Sequence, residues 1–289
     1  MFERLGAEAW PSLASEPLGG WRLRAAGGIS KRANSVWTAA PYPDEDRDWL
    51  QSAEDFAERH GIPCCFYVSD TSPAGLDERL EAAGYALSDP CFLMTGEAEE
   101  VRRLAEARRA LYPTQAELLS EAVHGEPRSV IGGERSGRLP CGEEPVAAPD
   151  GSWLADFLAL EGFPPERAPG YAAIFGAIRQ QKSLARLRIG GRTAALGTAM
   201  LGEGRACLSN IVVAPEFRRM GLAAELIGLL AQRSLQSGAE ELYLQVVQSN
   251  ATAIRLYESL GFGVLARHHY RTRPTDGDMP RTSRFKPEI

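Results

Sequence analysis

Cysteine is scarce in this sequence, and its arrangement excludes two common kinds of structural support. The chain has 289 residues and five cysteines, an odd number, and no two of them form a C-x-x-C pair. We therefore expect neither a disulfide framework nor a metal site. This pattern favours a reducing, cytoplasmic setting.

Long apolar runs and an excess of positive charge are also missing. No stretch approaches the ~18 apolar residues that a membrane-spanning helix needs, and the N-terminus carries acids without the apolar core of a signal peptide. Asp and Glu outnumber Lys and Arg by 38 to 32, which gives a net charge of −6. We expect a soluble, cytoplasmic protein without nucleic-acid or membrane partners, in which an anionic ligand needs a local basic site.

Two nucleotide-binding signatures are absent as well. The sequence has no G-x-x-x-x-G-K-S/T loop and no glycine-rich strand-to-helix turn of the kind that binds dinucleotides. Nucleotide kinases and methyltransferases therefore rank low as explanations of the chain.

What the sequence does contain is enough apolar material for two cores. Hydrophobic residues make up 44% of the chain, and a chain of this length usually forms about two domains. The predicted boundary is the stretch 125–150, which is rich in Gly, Pro and charged residues. Residues 1–125 then form one domain, 126–150 form a linker or the first strand of the next, and 151–289 form the second domain.

Local periodicity predicts an alternation of strands and helices in both halves. In the first half we expect short strands within 21–38, strands at 63–69 and 85–94, and helices at 46–60, 74–83 and 97–111. In the second half we expect strands at 183–189, 193–201, 205–213, 241–247 and 262–271, helices at 152–160, 171–180, 221–236 and 251–260, and a proline-rich loop at 162–170.

The two halves share a spacing of glycines. Gly61 and Gly84 are 23 residues apart, as are Gly238 and Gly261, and each pair frames a strand, a loop and a helix before an aromatic residue. The spacing predicts that the halves are copies offset by 177 residues. Strand–helix units of similar length are the simpler alternative.

The segment 211–225 brings free backbone N–H groups and two arginines to one point. A helix begins at Gly221, directly after a predicted strand and loop, so the unpaired N–H groups of its first turn point at a common spot. Helix starts favour acidic residues, yet Arg218 and Arg219 precede this one and its first carboxylate is Glu225. The segment therefore predicts a bound anion, with a solvated arginine pair beside a tight turn as the alternative.

These residues carry a resemblance to a known superfamily. Arg218 to Ala223 (RRMGLA) is similar to the pyrophosphate loop of the GNAT superfamily of acyl-CoA-dependent N-acyltransferases, Q/R-x-x-G-x-G/A. Asn250 to Phe262 (NATAIRLYESLGF) is similar to that superfamily's N-x-x-A-x-x-L-Y-x-x-x-G-F segment. The resemblance covers about 152–273. It implies an α/β (α+β) chain of two GNAT-like domains, each a mixed, mostly antiparallel sheet flanked by helices, with acetyl-CoA or a similar acyl-CoA between two splayed strands.

The resemblance also implies roles for single residues. The pantetheine arm of the coenzyme would pair with Ile211, Val212 and Val213, and its pyrophosphate would lie against Arg218, Arg219, Met220, Gly221, Leu222 and Ala223. Arg219 and Met220 stand where the family often has Gly and a basic residue, which leaves the individual phosphate contacts open. Asn250 would contact the pantetheine or orient the thioester, although an Asn before a helix is also a preferred N-cap.

Tyr257 is the predicted catalytic residue. When an amine attacks a thioester, the expelled thiolate needs a proton, and a phenol beside the sulfur can donate it. The family has its general acid at this position. A core tyrosine with a satisfied O–H is the alternative.

The general base is not marked by any pattern. The candidates are a water held by Ser209 or Asn210, and, more weakly, Glu161, His268 and His269. Cys207, which would suit an acyl-cysteine route, has no evident His partner and is better explained as a small buried residue.

The first half lacks the features of the predicted site. An offset of 177 replaces Arg218 by Pro41, Gly221 by Asp44, Ala223 by Asp46 and Tyr257 by Leu80. We therefore predict a degenerate GNAT-like domain without a cofactor site, which packs on the active half or shapes its acceptor cleft. Its polar segment 31–35 either contacts a substrate or forms an exposed turn.

Together these features predict an N-acetyltransferase that moves an acetyl or other short acyl group to a small-molecule or peptide amine by direct attack. The alternative is a non-catalytic acyl-CoA sensor or scaffold. The acceptor and the oligomeric state, a homodimer included, stay open at this point.

Overall fold

The computed structural model describes residues 1–43, 48–111 and 149–274. Its helices are α1 (Phe2–Ala9), α2 (Trp49–Arg59), α3 (Leu76–Ala82), α4 (Ala98–Ala110), α5 (Gly151–Glu161), α6 (Ala168–Ala177), α7 (Leu222–Gln236) and α8 (Ala251–Ser259). Its strands are β1 (Ala14–Leu18), β2 (Trp21–Ala25), β3 (Val36–Trp37), β4 (Cys65–Ser69), β5 (Ala86–Glu97), β6 (Gln181–Ile189), β7 (Arg192–Gly202), β8 (Arg205–Val213), β9 (Glu241–Val247) and β10 (Gly263–Thr272). Short 3-10 turns lie at Lys31–Ala33, Pro165–Arg167 and Pro215–Phe217.

All ten strands of the described residues form one sheet, in the order β1-β2-β3-β4-β10-β5-β9-β8-β7-β6. The pairs β3–β4 and β8–β9 are parallel, and the other neighbours are antiparallel. Helices pack on the sheet, so the predicted class, an α/β chain with a mixed, mostly antiparallel sheet flanked by helices, is confirmed.

The elements of the two halves recur at the predicted offset. Moving β4, α3 and β5 by 177 residues places them on β9, α8 and β10. Each half also has one parallel pair at the equivalent place, β3–β4 in the first and β8–β9 in the second. The repeat inferred from the glycine spacing is therefore present in the structure.

The last strand of each repeat lies in the other repeat's part of the sheet. β5 pairs with β9, and β10 pairs with β4, while β5 and β10 also pair with each other at the centre. The predicted boundary at 126–150 thus separates two sets of elements along the chain, but it does not divide the sheet. Most of that stretch, 126–148, lies outside the described residues.

Several predicted elements have different limits in the structure. The expected loop at 162–170 contains a 3-10 turn, Pro165–Arg167, and α6 already begins at Ala168, because Pro169 is tolerated in the first turn of a helix. The helix expected at 46–60 begins at Trp49, capped by the Asp48 side chain. Helix α1 and strand β1 were not predicted, since neither has a long periodic pattern.

The two faces of the sheet have separate cores in the second half. Helices α4, α7 and α8 cover one face, where Leu242, Leu244 and Val246 of β9 point. Helices α1, α5 and α6 cover the opposite face, where Tyr243 points. This alternation along β9 is the two-residue period of a strand that is buried on both sides. In the described residues no helix is both long and apolar enough to cross a membrane.

Candidate active site

The parallel strands β8 and β9 diverge in the middle of the sheet. They pair only at their beginnings, from Arg205 opposite Glu241 to Cys207 opposite Tyr243. Beyond that point β8 continues to Val213 and β9 to Val247 without pairing to each other. The edges that face the gap keep unpaired backbone groups, which a ligand can satisfy.

A bulge in β8 marks the place where the gap opens. The register between β7 and β8 shifts between Leu196, opposite Val212, and Thr198, opposite Ser209. Asn210, in between, has a left-handed φ of 56°. Asn210 donates from Nδ2 to Thr198 Oγ1 at 3.0 Å, and that hydroxyl donates to the Ser209 carbonyl at 2.9 Å. The bulge is therefore fixed by side-chain hydrogen bonds, and it turns the strand end, Ile211 to Val213, along the gap.

The loop after β8 lies where the sequence predicts an anion site. Arg219 has a φ of 63° and Gly221, the residue before α7, has a φ of 79°. Two left-handed residues so close together turn the chain sharply, and the helix then begins at Leu222 with no side-chain cap. The N–H groups of the first turn of α7 have no partners within the helix, so they remain available for a phosphate.

The charges around this loop suit an anion. Arg219 and Met220 are exposed, and Arg218 approaches the Val213 carbonyl with Nε at 3.4 Å. The first carboxylate of α7, Glu225, lies 3.3 Å from Arg109 of α4, and burial raises the pKa of Glu225. The Glu225 carboxylate, the first on α7, is therefore paired with Arg109, while Arg218 and Arg219 lie in the loop before the helix.

Tyr257 lies in α8, on the face of the sheet that α7 also covers. Its side chain is only 6% exposed, and its ring packs edge-on against Phe262, with centroids 5.9 Å apart. Burial, aided by the charge of Glu161, raises the pKa of the Tyr257 phenol well above its ordinary value. The hydroxyl makes no hydrogen bond to any residue in the described ranges. A neutral phenol without an internal partner is able to donate to a ligand.

Asn250 is the N-cap of α8. Its Oδ1 accepts a hydrogen bond from the Ala253 N–H at 3.0 Å, so the N-cap role is present in the structure. Within the described residues its Nδ2 group makes no hydrogen bond, so it stays available for a second role.

The candidate bases differ sharply in their surroundings. Glu161, at the end of α5, is half-buried, and burial raises its pKa to about 7. His269 is bonded to Asp77 at 2.6 Å, in an ion-pair cluster with Arg271. Cys207 is 1% exposed and burial raises the pKa of its thiol, which disfavours the thiolate that an acyl-cysteine route needs. Of these groups, Glu161 has the pKa best matched to proton removal at neutral pH.

His268 lies on the opposite face of the sheet and is 3% exposed. Burial lowers its pKa to about 4, so the ring is neutral near pH 7. Neither ring nitrogen has a hydrogen-bond partner among the described residues.

The structure brings residues of the first half beside the gap, including one from the segment 31–35 that the sequence offered as a substrate contact. Arg32, within the polar segment 31–35, donates to Ser209 Oγ at 2.8 Å. A small cleft beside this contact is lined by Glu3, Gly6, Ala7, Arg24, Arg32, Trp37, Tyr67, Gln245 and Tyr270. The polar segment 31–35 is the sequence signal for this cleft, whereas Arg24 gives none, because it alternates along β2 with the core residues Leu23 and Ala25.

Two strands that diverge, and a turn with free helix N–H groups and two arginines at the end of one of them, are the arrangement expected of the acyltransferase class that the sequence resembles. In the described residues no group of three or more His, Cys, Asp or Glu side chains is placed to hold a metal ion. The residues that fit a coenzyme are those of the strand end, the loop and the start of α7.

Comparison with known proteins agrees with that class. The model of the acetyltransferase (GNAT) family matches residues 155–262. YobR of Bacillus subtilis (strain 168), described as an uncharacterized N-acetyltransferase, is 36% identical over 273 residues, which cover 94% of this chain and 97% of that protein. The chain therefore belongs to the GNAT family and is an acetyltransferase; acetyl-CoA is the general co-substrate of that family.

Two solved structures share the fold over nearly the whole chain. A GCN5-related N-acetyltransferase from Kribbella flavida has a TM-score of 0.62 at 14% identity, over 94% of this chain and 95% of that one. A tandem GNAT protein from the clavulanic acid biosynthesis pathway has a TM-score of 0.57 at 14% identity, over 95% and 88%. The fold, including the repetition of the GNAT unit, is thus shared with a known tandem protein.

Proposed function

We propose that this protein transfers an acetyl or other short acyl group from acyl-CoA to an amine acceptor by direct attack, with Tyr257 as the general acid. The observation that carries the proposal is the Tyr257 hydroxyl. It belongs to a buried side chain whose pKa is raised, and it has no hydrogen-bond partner in the described ranges. The hydroxyl oxygen is not among the fully buried polar atoms that lack a partner, so it borders open space in which a ligand can accept its proton.

In this proposal the chain binds the coenzyme along the gap between β8 and β9. Unpaired backbone groups of Ile211, Val212 and Val213 hold the pantetheine arm. The loop from Arg218 through Arg219, Met220, Gly221, Leu222 and Ala223 binds the pyrophosphate with its N–H groups and its positive charge. Asn250 keeps its cap with Oδ1 and can donate from Nδ2 toward the pantetheine.

The protons of the reaction have to balance. The amine nitrogen forms a bond to the thioester carbonyl carbon, and the bond from that carbon to sulfur breaks. Tyr257 donates its phenolic proton to the departing thiolate, and the nitrogen loses a proton to a base. Glu161 is the base that the surroundings favour, because its pKa is about 7 and its charge acts on Tyr257.

The first half has no acid at the equivalent place. Leu80 of α3, which replaces Tyr257 at the offset of 177, is fully buried and has no proton to donate. The positions equivalent to Gly221 and Ala223, Asp44 and Asp46, lie outside the described residues. We therefore propose one catalytic site per chain, in the second half. A cytoplasmic setting is consistent with the four free thiols of the described residues.

The test is the Tyr257→Phe variant. The control is Tyr42→Phe, which also loses one tyrosine hydroxyl but lies in the first half of the chain. Acetyl-CoA binding is measured by calorimetry, and thiol release is followed with a broad panel of amines. We expect Tyr257→Phe to bind acetyl-CoA normally and to lose about 100-fold or more in rate. Tight acetyl-CoA binding by the unmodified protein without acylation of any amine would instead favour an acyl-CoA sensor.

A further inference from the structure

The cleft lined by Glu3, Arg24, Arg32, Gln245 and aromatic side chains lies directly beside the gap between β8 and β9. Arg32 contacts Ser209, the residue before the bulge of β8. Gln245 belongs to β9, two residues beyond its last pair with β8. β9 therefore lines the cleft and β8 contacts it through Arg32, while its other walls come from the first half of the chain and from Tyr270 of β10.

The cleft contains two guanidinium groups without a carboxylate partner in the described residues. Arg24 is 6% exposed and donates only to Ser35, to the carbonyl at 3.1 Å and to Oγ at 2.9 Å. Arg32 donates to Ser209 and lies over the Trp10 ring, 5.3 Å from its centroid. Burial lowers the pKa of Arg24, and the charge of Arg32 lowers it further, so the two guanidinium groups lie near each other. A buried cation beside a second, half-buried one is costly unless an anion is bound between them.

The remaining walls are aromatic and contain unsatisfied polar atoms. Tyr67, Tyr270 and Trp37 line the cleft, and His268 stacks on Tyr67 with ring centroids 4.7 Å apart. Within the described residues, both ring nitrogens of His268 and Nε1 of Trp37 are buried without a hydrogen-bond partner. These atoms have almost no accessible surface in the cleft, so its polar recognition rests on the two arginines, Glu3 and Gln245.

The net charge and the size of the cleft limit what can enter. The charged lining residues are Arg24, Arg32 and Glu3, which together have a net charge of +1. The Glu3 carboxylate also accepts a hydrogen bond from Thr71 Oγ1 at 2.5 Å. A net charge of +1 matches a monoanion better than a phosphate dianion. The cleft has a volume of about 20 Å³. That is room for a group such as a carboxylate and not for a whole substrate.

We propose that the acceptor is an amine that also carries a carboxylate, and that Arg24 and Arg32 bind this carboxylate in the cleft while the amine reaches the gap between β8 and β9. The proposal rests on the proposed acetyl transfer. It gives the first half of the chain a part in acceptor recognition. A guanidinium pairs with a carboxylate through parallel hydrogen bonds, which fixes both its position and its orientation.

The test compares amines in matched pairs, each free acid beside its primary carboxamide. Glycine, β-alanine, γ-aminobutyrate and 4-aminobenzoate vary the distance between the two groups. The values of kcat and KM are measured for the unmodified protein, for Arg24→Gln and Arg32→Gln, and for Arg22→Gln, whose exposed side chain on β2 makes it the control. We expect a preference for the acid of about 10-fold or more, mainly in KM, which falls toward one in the two cleft variants and is kept in Arg22→Gln.

The ratio of acid to carboxamide is measured within one preparation, so a partly unfolded variant does not imitate the expected result. Equal rates for acids and carboxamides, or a ratio that persists in Arg32→Gln, would overturn the carboxylate site while leaving acetyl transfer intact.

A second measurement does not depend on turnover. The side-chain Nε resonances of Arg24 and Arg32 are followed by NMR in the acetyl-CoA complex during titration with the same acids and carboxamides. Shifts with the acids alone support the site even if no amine is acetylated, and that combination would overturn the proposed transfer only. No shift with any acid overturns the site.

Discussion

Arg32 and Ser209 are hydrogen-bonded at 2.8 Å and occupy equivalent positions in the two halves, since they are 177 residues apart. The central strands show the same relationship: Cys91 of β5 lies opposite His268 of β10, again 177 residues away. An antiparallel pair in which equivalent residues face each other is what a local two-fold axis produces. The repeats therefore meet at this axis, and Arg32 brings the first half to the gap of the second.

The exchange of β5 and β10 predicts that the halves do not fold alone. Residues 149–289 without β5 would expose the edge of β9, and β10 would lose its partners on both sides. We expect this fragment to be insoluble or unfolded by circular dichroism, and co-expression with residues 1–148 to restore a soluble complex. A soluble, folded fragment that binds acetyl-CoA by itself would contradict this prediction.

Reversal of the loop charges should weaken coenzyme binding. Arg218→Glu with Arg219→Glu places two negative charges where the proposed pyrophosphate binds, so we expect acetyl-CoA affinity to fall by about 10-fold or more, and the loss to shrink at high salt. Calorimetry at two salt concentrations measures both effects. Arg59→Glu, on the exposed side of α2, is the control. Unchanged affinity in the double variant would remove the loop from the site.

Local sequence patterns located the elements of the second half, with α6 displaced by three residues, and were insufficient for the pairing of the strands. β9 was predicted with the limits it has, and α8 to within one residue, because a glycine and a change of period mark their ends. The exchange of β5 and β10 has no local sequence signal, because the pattern of a strand shows which residues are buried and not which strand lies beside it. Glu161 was only a weak candidate because its raised pKa arises from tertiary burial, which spacing does not reveal.

An ion-pair cluster should make stability depend on acid pH. The hydrogen bonds from Arg271, and in addition that from His269, hold the pKa of Asp77 at about 2, below its ordinary value. A lowered pKa means that the stabilisation is complete above pH ~4 and is lost as the pH falls toward 2. Because Asp77 is about one-third exposed, we expect Asp77→Asn to lower the free energy of unfolding at pH 7 by only about 1 kcal/mol.

Urea denaturation across pH 2–7 measures this effect. The Asp77→Asn variant should show a shallower loss of stability between pH 4 and 2 than the unmodified protein. Glu78→Gln, an exposed neighbour on the same helix, should keep the original slope. Parallel curves for all three proteins would exclude Asp77 as a source of the acid dependence.

The rate of acetyl transfer should rise with pH if Glu161 removes the proton of the amine. Burial raises the pKa of Glu161 to about 7, and a base acts only in its deprotonated form, so kcat should increase through pH ~7 and level off above it. Glu161→Gln should lower kcat about 100-fold or more at pH 8, with acetyl-CoA affinity unchanged. Glu166→Gln, in the exposed turn that follows α5, is the matched control and should keep both the rate and its pH dependence. A Glu161→Gln variant with a normal rate and the same inflection would assign proton removal to another group, such as a water held at the bulge by Ser209 and Asn210.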